Sequence, residues 1–197
     1  IIADQAGNFL ASPFTLPFTS IDVPLDTVNW TSNSDGDWED PLNWSTGEVP
    51  DADDNVVIDV PNANPVITID SDITLRSLNS EEPLIISTDG SLTVTKASAV
   101  NSDFTIEDGG TVTADGPDAS FIANALATID GTSLFALNGG LIELPTLTSY
   151  TGSTDFDTTI QATGGGSQVD LSALTTLQGG GTNFSPETLF INALAGA

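Results

Sequence analysis

The fold is decided by residues 36–58, which read GDWEDPLNWSTGEVPDADDNVVI. Two tryptophans, Trp38 and Trp44, lie six residues apart with polar and turn-forming residues between them. Pro50 follows, and a β-branched run begins at Val56. Indole rings are stabilised by burial, whereas glycine and proline mark turns. The stretch therefore predicts a lid in which Trp38, Trp44 and Pro50 cover the start of a β structure.

From Val56 onward the chain is a series of short alternating segments. Most of them place apolar residues next to Thr or Ser, and Asp, Asn, Gly and Pro separate one segment from the next. A period of two is typical of half-buried strands, so the fold class is predicted to be all-β. The predicted strands are 56–58, 66–69, 73–75, 84–86, 92–95, 104–106 and 111–113. Residues 185–194 fit either an N-capped helix or one more strand.

Similar segments return at regular distances along the chain. Leu92 and Val112 belong to two segments that begin with Asp-Gly, and they are 20 residues apart. Leu144 and Leu171 belong to two segments that begin with Gly-Gly, and they are 27 residues apart. One coil of a parallel β-helix takes about 20 to 30 residues, within the range of periods that marks stacked folds. The spacings favour a parallel β-helix whose inward aliphatic side chains fill the bore.

An antiparallel β-sandwich is the alternative architecture. It requires tight hairpins, for which Asp-Gly and Asn-Gly are the preferred turn residues. Such pairs stand at 89–90, 108–109, 130–131 and 138–139. The turn chemistry of a sandwich is therefore present, and the stacked coils are favoured on the spacing alone.

The first 35 residues differ from the rest of the chain. They carry large apolar side chains interrupted by Pro13, Pro17 and Pro24. Proline opposes a continuous helix and a central strand, so this segment is expected to lie extended along the body or across one end. The alternative is a disordered linker. The predicted division is an extended leader or capping segment at 1–35 and a β-helix domain at 36–197.

Composition excludes several classes of function. The 197 residues contain no His and no Cys, which excludes disulfides, thiolate metal sites and His-dependent catalytic pairs. There are 28 acidic and 2 basic residues, a net charge of −26, so we expect no nucleic-acid partner. No apolar run approaches the roughly 20 residues of a membrane helix, so we expect no membrane insertion. An extracellular or cell-surface setting, where salt or calcium screens the charge, is predicted.

The lid sequence resembles the opening of β-helical domains in large bacterial surface and autotransporter-like adhesins. It is also similar to the start of the G8 domain of extracellular β-rich proteins. The residues that carry the resemblance are Gly36, Asp37, Trp38, Asn43, Trp44, Gly47, Val49, Pro50, Asp54, Val56 and Ile58. The likeness is close over 36 to about 60 and looser as far as Glu143. It implies a secreted, surface-displayed, right-handed β-helix with a structural or adhesive role, and it supplies no catalytic residues.

Oxygen ligands are concentrated around the lid. Asp35, Asp37 and Asp40 flank the first lid tryptophan, and Asp53 and Asp54 follow the lid proline. Carboxylates suit the hard cation Ca²⁺, although the spacing is not that of an EF-hand. These five residues are the candidate calcium ligands. The alternative is that they are ordinary turn and cap residues.

The two cationic residues, Arg76 and Lys96, are 20 residues apart. In a coil of that length they project at the same corner of neighbouring coils. A basic residue beside carboxylates is a feature of carbohydrate lyases, but an acidic chain repels polyuronate substrates. The alternative is that each cation bridges acidic neighbours such as Asp72 or Glu81.

Two functions remain open from the sequence. The first is a non-catalytic structural or adhesive segment of a large secreted or cell-surface protein, with a surface glycan or neighbouring domains of the same chain as partner. The second is a carbohydrate-binding or carbohydrate-cleaving β-helix domain. A sugar-stacking platform then consists of Trp30, Trp38, Trp44 and Tyr150, unless these rings are core. Among 28 carboxylates the sequence selects no catalytic pair, so no catalytic residue is predicted.

Overall fold

The computed structural model describes residues 27–88, 90–125, 127–181 and 187–194, so residues 1–26 of the predicted leader lie outside the described part. The described elements are β-strands and one short 3₁₀ turn at Pro41–Asn43. The strands in chain order are β1 (Thr27–Asn29), β2 (Gly36–Asp37), β3 (Asn55–Ile58), β4 (Ile67–Ile69), β5 (Asp72–Leu75), β6 (Ser77–Ser80), β7 (Leu84–Ile86), β8 (Ser91–Val94), β9 (Ala97–Val100), β10 (Phe104–Ile106), β11 (Thr111–Asp115), β12 (Ser120–Ala123), β13 (Ala127–Thr128), β14 (Ser133–Leu137), β15 (Leu141–Glu143), β16 (Ser149–Thr151), β17 (Thr158–Thr163), β18 (Gln168–Asp170), β19 (Thr176–Gln178) and β20 (Leu189–Leu194).

Successive strands pass through three sheets in a fixed order. Sheet I is β1-β3-β6-β9-β12-β15-β18, sheet II is β13-β10-β7-β4-β2, and sheet III is β20-β17-β14-β11-β8-β5. In the last two coils the pair β16-β19 stands between the strands of sheets I and III. One pass through the three positions makes one coil, and each coil lies on the one before it.

Every pairing between strands in the described ranges is parallel. Within those ranges the one antiparallel contact is a single bridge between Trp30 and Trp44. A sandwich needs antiparallel neighbours, because its strands are joined by hairpins. The antiparallel sandwich is therefore wrong, and the parallel β-helix is confirmed.

The spacings seen in the sequence equal the registers between paired strands. Leu92 of β8 pairs with Val112 of β11, which is the spacing of 20. Glu143 of β15 pairs with Asp170 of β18, which gives the spacing of 27 that also separates Leu144 from Leu171. The distances recur because an inward side chain must stand over an inward side chain of the previous coil.

Within residues 56–113, where the sequence predicts seven strands, two strands were missed, β6 and β9. β6 reads SLNS and β9 reads ASAV, so neither has the β-branched and Thr-rich composition of the predicted strands. Their inward positions are nevertheless buried, Leu78 and Ser80 in β6 and Ser98 and Val100 in β9. Both lie in sheet I, whose β3 was predicted, and the two missed strands are those with small and polar residues.

The core is a stack of inward side chains along the axis. In sheet III it is the column Ile73, Leu92, Val112, Leu134 and Ile160, each paired with the next by strand register. All five are buried, and their outward neighbours are polar for most of the column. The sequence period of two, from which the strands were predicted, is thus the alternation of side chains that face the bore with side chains that face solvent.

The two ends of the described chain add to what the sequence predicts. Strand β1 lies inside the predicted leader 1–35 and pairs with β3, so residues from Thr27 contribute to the first coil. Residues Leu189–Leu194 form strand β20, which decides between the helix and the strand left open for this segment. In the described ranges, no helix has the length and apolar character needed to cross a membrane.

Candidate functional site

The lid, residues 38–54, closes the first coil in place of a strand of sheet III. Trp38, Trp44 and Pro50 are buried in it, as the sequence predicts. The ring centroids of Trp38 and Trp44 are 4.5 Å apart, and those of Trp30 and Trp44 are 5.1 Å apart, both in edge-to-face geometry. Such offset arrangements are favourable for aromatic pairs. The lid is a packed indole cluster.

The indole cluster leaves no aromatic platform for sugar. Trp30, Trp38, Trp44 and Tyr150 are all buried, so the stacking platform considered from the sequence is wrong. Two of the indole N–H groups donate within the first coil, from Trp44 to the carbonyl of Trp38 at 2.7 Å and from Trp30 to that of Ser32 at 2.9 Å. Trp38 Nε1 finds no acceptor among the described residues.

The predicted calcium ligands are placed in two turns of the lid region. Asp35 accepts the amide of Val66 at 2.7 Å, and Asp40 accepts that of Leu42 at 2.9 Å as the cap of the 3₁₀ turn. Asp54 accepts the amide of Asp51 at 2.8 Å.

Two further predicted ligands, Asp37 and Asp53, are exposed, and neither carboxylate has a hydrogen bond within the described ranges. In those ranges no group of three or more carboxylates is gathered where it holds a metal ion. Calcium binding stays a prediction for these five residues.

Glu39 is a lid residue that sequence reasoning missed. Its Oε1 accepts from the amide of Asp70 at 3.0 Å and from the hydroxyl of Ser71 at 2.7 Å, both in the next coil. Its Oε2 is buried without a partner in the described part of the chain. Glu39 therefore ties the lid to the coil beneath it. No sequence signal marks this, because the contact spans 31 residues.

Arg76 and Lys96 stack at one corner, as predicted, with the amide of Lys96 donating to the carbonyl of Arg76 at 2.8 Å. Lys96 forms its ion pair with Asp118 at 2.6 Å rather than with Asp72 or Glu81. The hydrogen bond from Lys96, and then its charge, lower the pKa of Asp118. The pair is exposed and therefore adds little stability.

A groove that was not predicted lies at the corner between sheets II and III. This corner groove is lined by Asp108, Asp130, Gly131, Thr151, Gly152, Ser153 and Thr154, and has a volume of about 260 Å³. Asp108 follows β10 and Asp130 follows β13, so the two carboxylates stand at the same corner of consecutive coils. The amide of Gly109 donates to the carbonyl of Gly131 at 3.0 Å and holds the two turns together.

The two carboxylates of the corner groove have different surroundings. Asp130 accepts the amide of Thr151 at 2.7 Å and is otherwise exposed. Asp108 packs against Gly131, and its Oδ1 is buried with no hydrogen bond from the described residues. Phe156 lies beside Gly109, and its side chain is 49 % exposed. The groove thus offers hydrogen-bond acceptors and hydroxyls, and Phe156 lies next to it, its amide donating to the hydroxyl of Ser153 at 3.1 Å.

Tyr150 lies beneath this corner, and its hydroxyl donates to the carbonyl of Thr132 at 2.6 Å. Burial raises the pKa of Tyr150, and the charges of Asp130 and Asp108 raise it further. A raised pKa in the folded state means that stability is fully present below the unfolded value of about 10 and is lost as pH rises through the folded value.

Tyr150 is the single tyrosine of the chain, so tyrosinate absorbance follows this residue alone. We expect a midpoint above pH 10 for the folded protein and an ordinary midpoint, about 10, in denaturant. The folded protein is also expected to lose stability over that interval. Equal midpoints in both states contradict the burial of the hydroxyl.

Residues 29–120 match the sequence model of a family described as "Domain of unknown function (DUF8693)". The matched range is under half of the chain, and it includes the lid and Asp108 but not Asp130. No curated protein and no solved structure matches the chain. The lid, the bore and the corner groove are therefore the features from which a function can be inferred.

Proposed function

We propose that the chain is a non-catalytic structural or adhesive segment of a large secreted or cell-surface protein, of the β-helical adhesin-like kind that the lid sequence resembles. The observation that carries this is the filled bore, in which buried side chains stack from Trp38 of the lid to Ile160 of β17. An enclosed substrate site needs a concave pocket. A bore that is filled with side chains makes the molecule rigid instead of forming such a pocket. Partners under this proposal are a surface glycan or neighbouring domains of the same chain.

An extracellular setting agrees with the charge of the molecule. With a net charge of −26 the chain repels other copies and other acidic surfaces unless ions screen it. Salt at about 0.15 M reduces the screening length to about 8 Å, and higher salt reduces it further. A salty medium outside the cell is the natural condition for such a column.

The corner groove is the surface we assign to adhesion. Next to the groove, the exposed ring of Phe156 offers an apolar face to a sugar ring, and Asp108, Asp130 and Ser153 in the groove offer hydrogen-bond partners to its hydroxyls. Exposed aromatic faces beside a few polar groups are typical of ligand sites. Because the groove carries two carboxylates and no cation, a neutral glycan fits it better than an anionic one.

We expect the wild-type chain to bind neutral glycans on an array and to release no reducing ends from them. Phe156→Ala is expected to weaken binding about fivefold to tenfold, because the ring contact contributes about 1 kcal/mol. Leu42→Ala is the matched control, since Leu42 is 84 % exposed but lies in the lid. Absence of binding to every glycan by the folded chain overturns the assignment of the groove to glycan adhesion.

Carbohydrate cleavage is the second candidate, and the pair Asp108 and Asp130 is the observation that favours it. Glycoside hydrolysis uses two carboxyl groups about 5 to 9 Å apart, one as acid and one as base or nucleophile. A reducing-sugar assay with Asp108→Asn and Asp130→Asn tests it. Sugar release that either variant abolishes establishes cleavage and refutes the non-catalytic proposal. Asp115→Asn, outside the groove, is the control.

Calcium stabilisation of the lid is a further part of the proposal. A cation held by lid carboxylates stabilises the folded state in proportion to the logarithm of its concentration. We expect millimolar-range calcium to raise the melting temperature of the wild type, and Asp37→Asn with Asp53→Asn to remove the rise. These two substitutions break no described hydrogen bond of a carboxylate. Asp103→Asn is the exposed control, and a melt unaffected by calcium refutes the site.

A further inference from the structure

Sheet II stops at β13, well inside the chain, and a cleft opens beside it. Within the described ranges β13 pairs with β10 alone, and the next coil passes it as residues 146–149. Two side-chain contacts join the coils here. The carboxylate of Asp130 accepts the amide of Thr151 at 2.7 Å, and the hydroxyl of Thr146 donates to the carbonyl of Ala125. Because these contacts stand where a backbone ladder would otherwise continue, the two coils leave a space between them.

This space, which we call the hydroxyl cleft, has a volume of about 170 Å³ and is lined mainly by exposed hydroxyl side chains. The hydroxyls of Thr128, Thr148 and Ser149 have no hydrogen bond within the described part of the chain. Ile129 and Leu147 also line the cleft, and both are buried. The cleft therefore combines an apolar base with hydroxyls that are free to bond a ligand.

The hydroxyl cleft and the corner groove are two parts of one trough. Asp130 lines both of them. The chain runs from Thr146–Ser149 in the cleft to Thr151–Thr154 in the groove, with buried Tyr150 between the two segments. Ligand sites have volumes of about 300 to 1,000 Å³. The groove, at about 260 Å³, and the cleft, at about 170 Å³, each fall below that range, and only the two together reach it.

We propose that the trough is an extended site for a neutral oligosaccharide, with one sugar unit in the corner groove beside Phe156 and the next unit in the hydroxyl cleft. This inference rests on the proposed function and adds to it the length of the glycan. Sugar hydroxyls both donate and accept hydrogen bonds, as the free hydroxyls of the cleft do. Asp130 lies between the two units and accepts from either. The two cationic residues, Arg76 and Lys96, line neither part, so an anionic chain finds no counter-charge.

Binding of the full chain to neutral oligosaccharides of increasing length tests the proposal. The probes are chains of glucose, galactose, mannose and N-acetylglucosamine with one to four units, measured by titration calorimetry. We expect a chain of two or more units to bind at least about tenfold more tightly than the single unit. Thr148→Val and Ser149→Ala are each expected to weaken the longer chain about fivefold and to leave the single unit unchanged. Thr74→Val, an exposed threonine of β5, is the matched control and is expected to change neither.

Three results overturn the inference, and one of them also overturns glycan adhesion. If the folded chain binds no probe of any length, both proposals fall. If single units bind as tightly as longer chains, or if neither cleft variant weakens the longer chains, adhesion at the groove stands and the extended site falls. A melting curve of each variant separates loss of binding from loss of folding. Because Thr148 and Ser149 are exposed, we expect both variants to fold.

Discussion

Replacing Trp38 with alanine is expected to lower the free energy of unfolding by about 3 to 5 kcal/mol, the usual cost of emptying a buried aromatic site. The Trp38 side chain is 0 % exposed, and its ring packs edge-to-face on Trp44. The substitution removes the ring that seals the first core layer and leaves a cavity beneath the lid. Its unpartnered Nε1 means that the loss is one of packing rather than of a hydrogen bond.

The effect of Trp38→Ala on the lid can be measured by tryptophan fluorescence. All three tryptophans, Trp30, Trp38 and Trp44, lie in the first coil or its lid, so fluorescence follows the lid while far-UV circular dichroism follows the strands. In stacked coils each coil contacts mainly its neighbours, so we expect the fluorescence transition to move more than the dichroism transition.

Leu42→Ala, in the same lid, is the control for Trp38→Ala. Leu42 is exposed, and its loss is expected to change stability by no more than about 0.5 kcal/mol. A Trp38→Ala protein that melts like the wild type by both probes contradicts the sealing role of the lid.

The stacked architecture was predictable because the core itself repeats along the chain. An inward side chain must cover one in the previous coil, so Leu92 and Val112 are separated by one coil length. The same holds for the segment around Leu144 and Leu171. A sandwich has no such requirement, and this is why spacing outweighed the Asp-Gly turn signals.

Strands β6 and β9 of sheet I were not predictable from composition. β6 and β9 bury Ser80 and Ser98, whose hydroxyls are satisfied inside the coil: Ser80 donates to the carbonyl of Glu82 and Ser98 to that of Lys96. A buried serine with a local hydrogen bond costs little, so a strand tolerates it. Hydrophobic alternation alone cannot detect such a strand.

The corner groove was missed for a related reason. Asp108-Gly109 and Asp130-Gly131 are hairpin turn signals in the sequence, and Asp108-Gly109 also begins a repeated segment. In a coil they mark the same corner, since β10 pairs with β13 and the turns after them stack. The 22-residue separation of the two Asp-Gly pairs was the available signal, and it identifies the site once the coil length is known.

Replacing Gly140 with alanine is expected to cost about 3 kcal/mol or more, at the upper end of the range for overpacked sites. A Cβ at this position overlaps the carbonyl oxygen of Ala114 in the previous coil. The obstacle is backbone, so it cannot rotate aside as a side chain can. The corner is also fixed from both sides, by the bond from the amide of Gly140 to Leu137 and by the bond from Gln168 to the carbonyl of Gly140.

Gly165 supplies the matched control one coil further on. An added Cβ there has no atom within 4 Å, and its φ is not in the left-handed region. Gly165→Ala is therefore expected to stabilise the chain by about 0.4 to 1 kcal/mol through the unfolded state. Urea denaturation measures both variants, and an unchanged slope with a shifted midpoint identifies a stability effect. Equal midpoints for the two alanine variants refute close coil stacking at Gly140. In that case a methyl group at Gly140 is no more costly than one at Gly165, which has no atom within 4 Å.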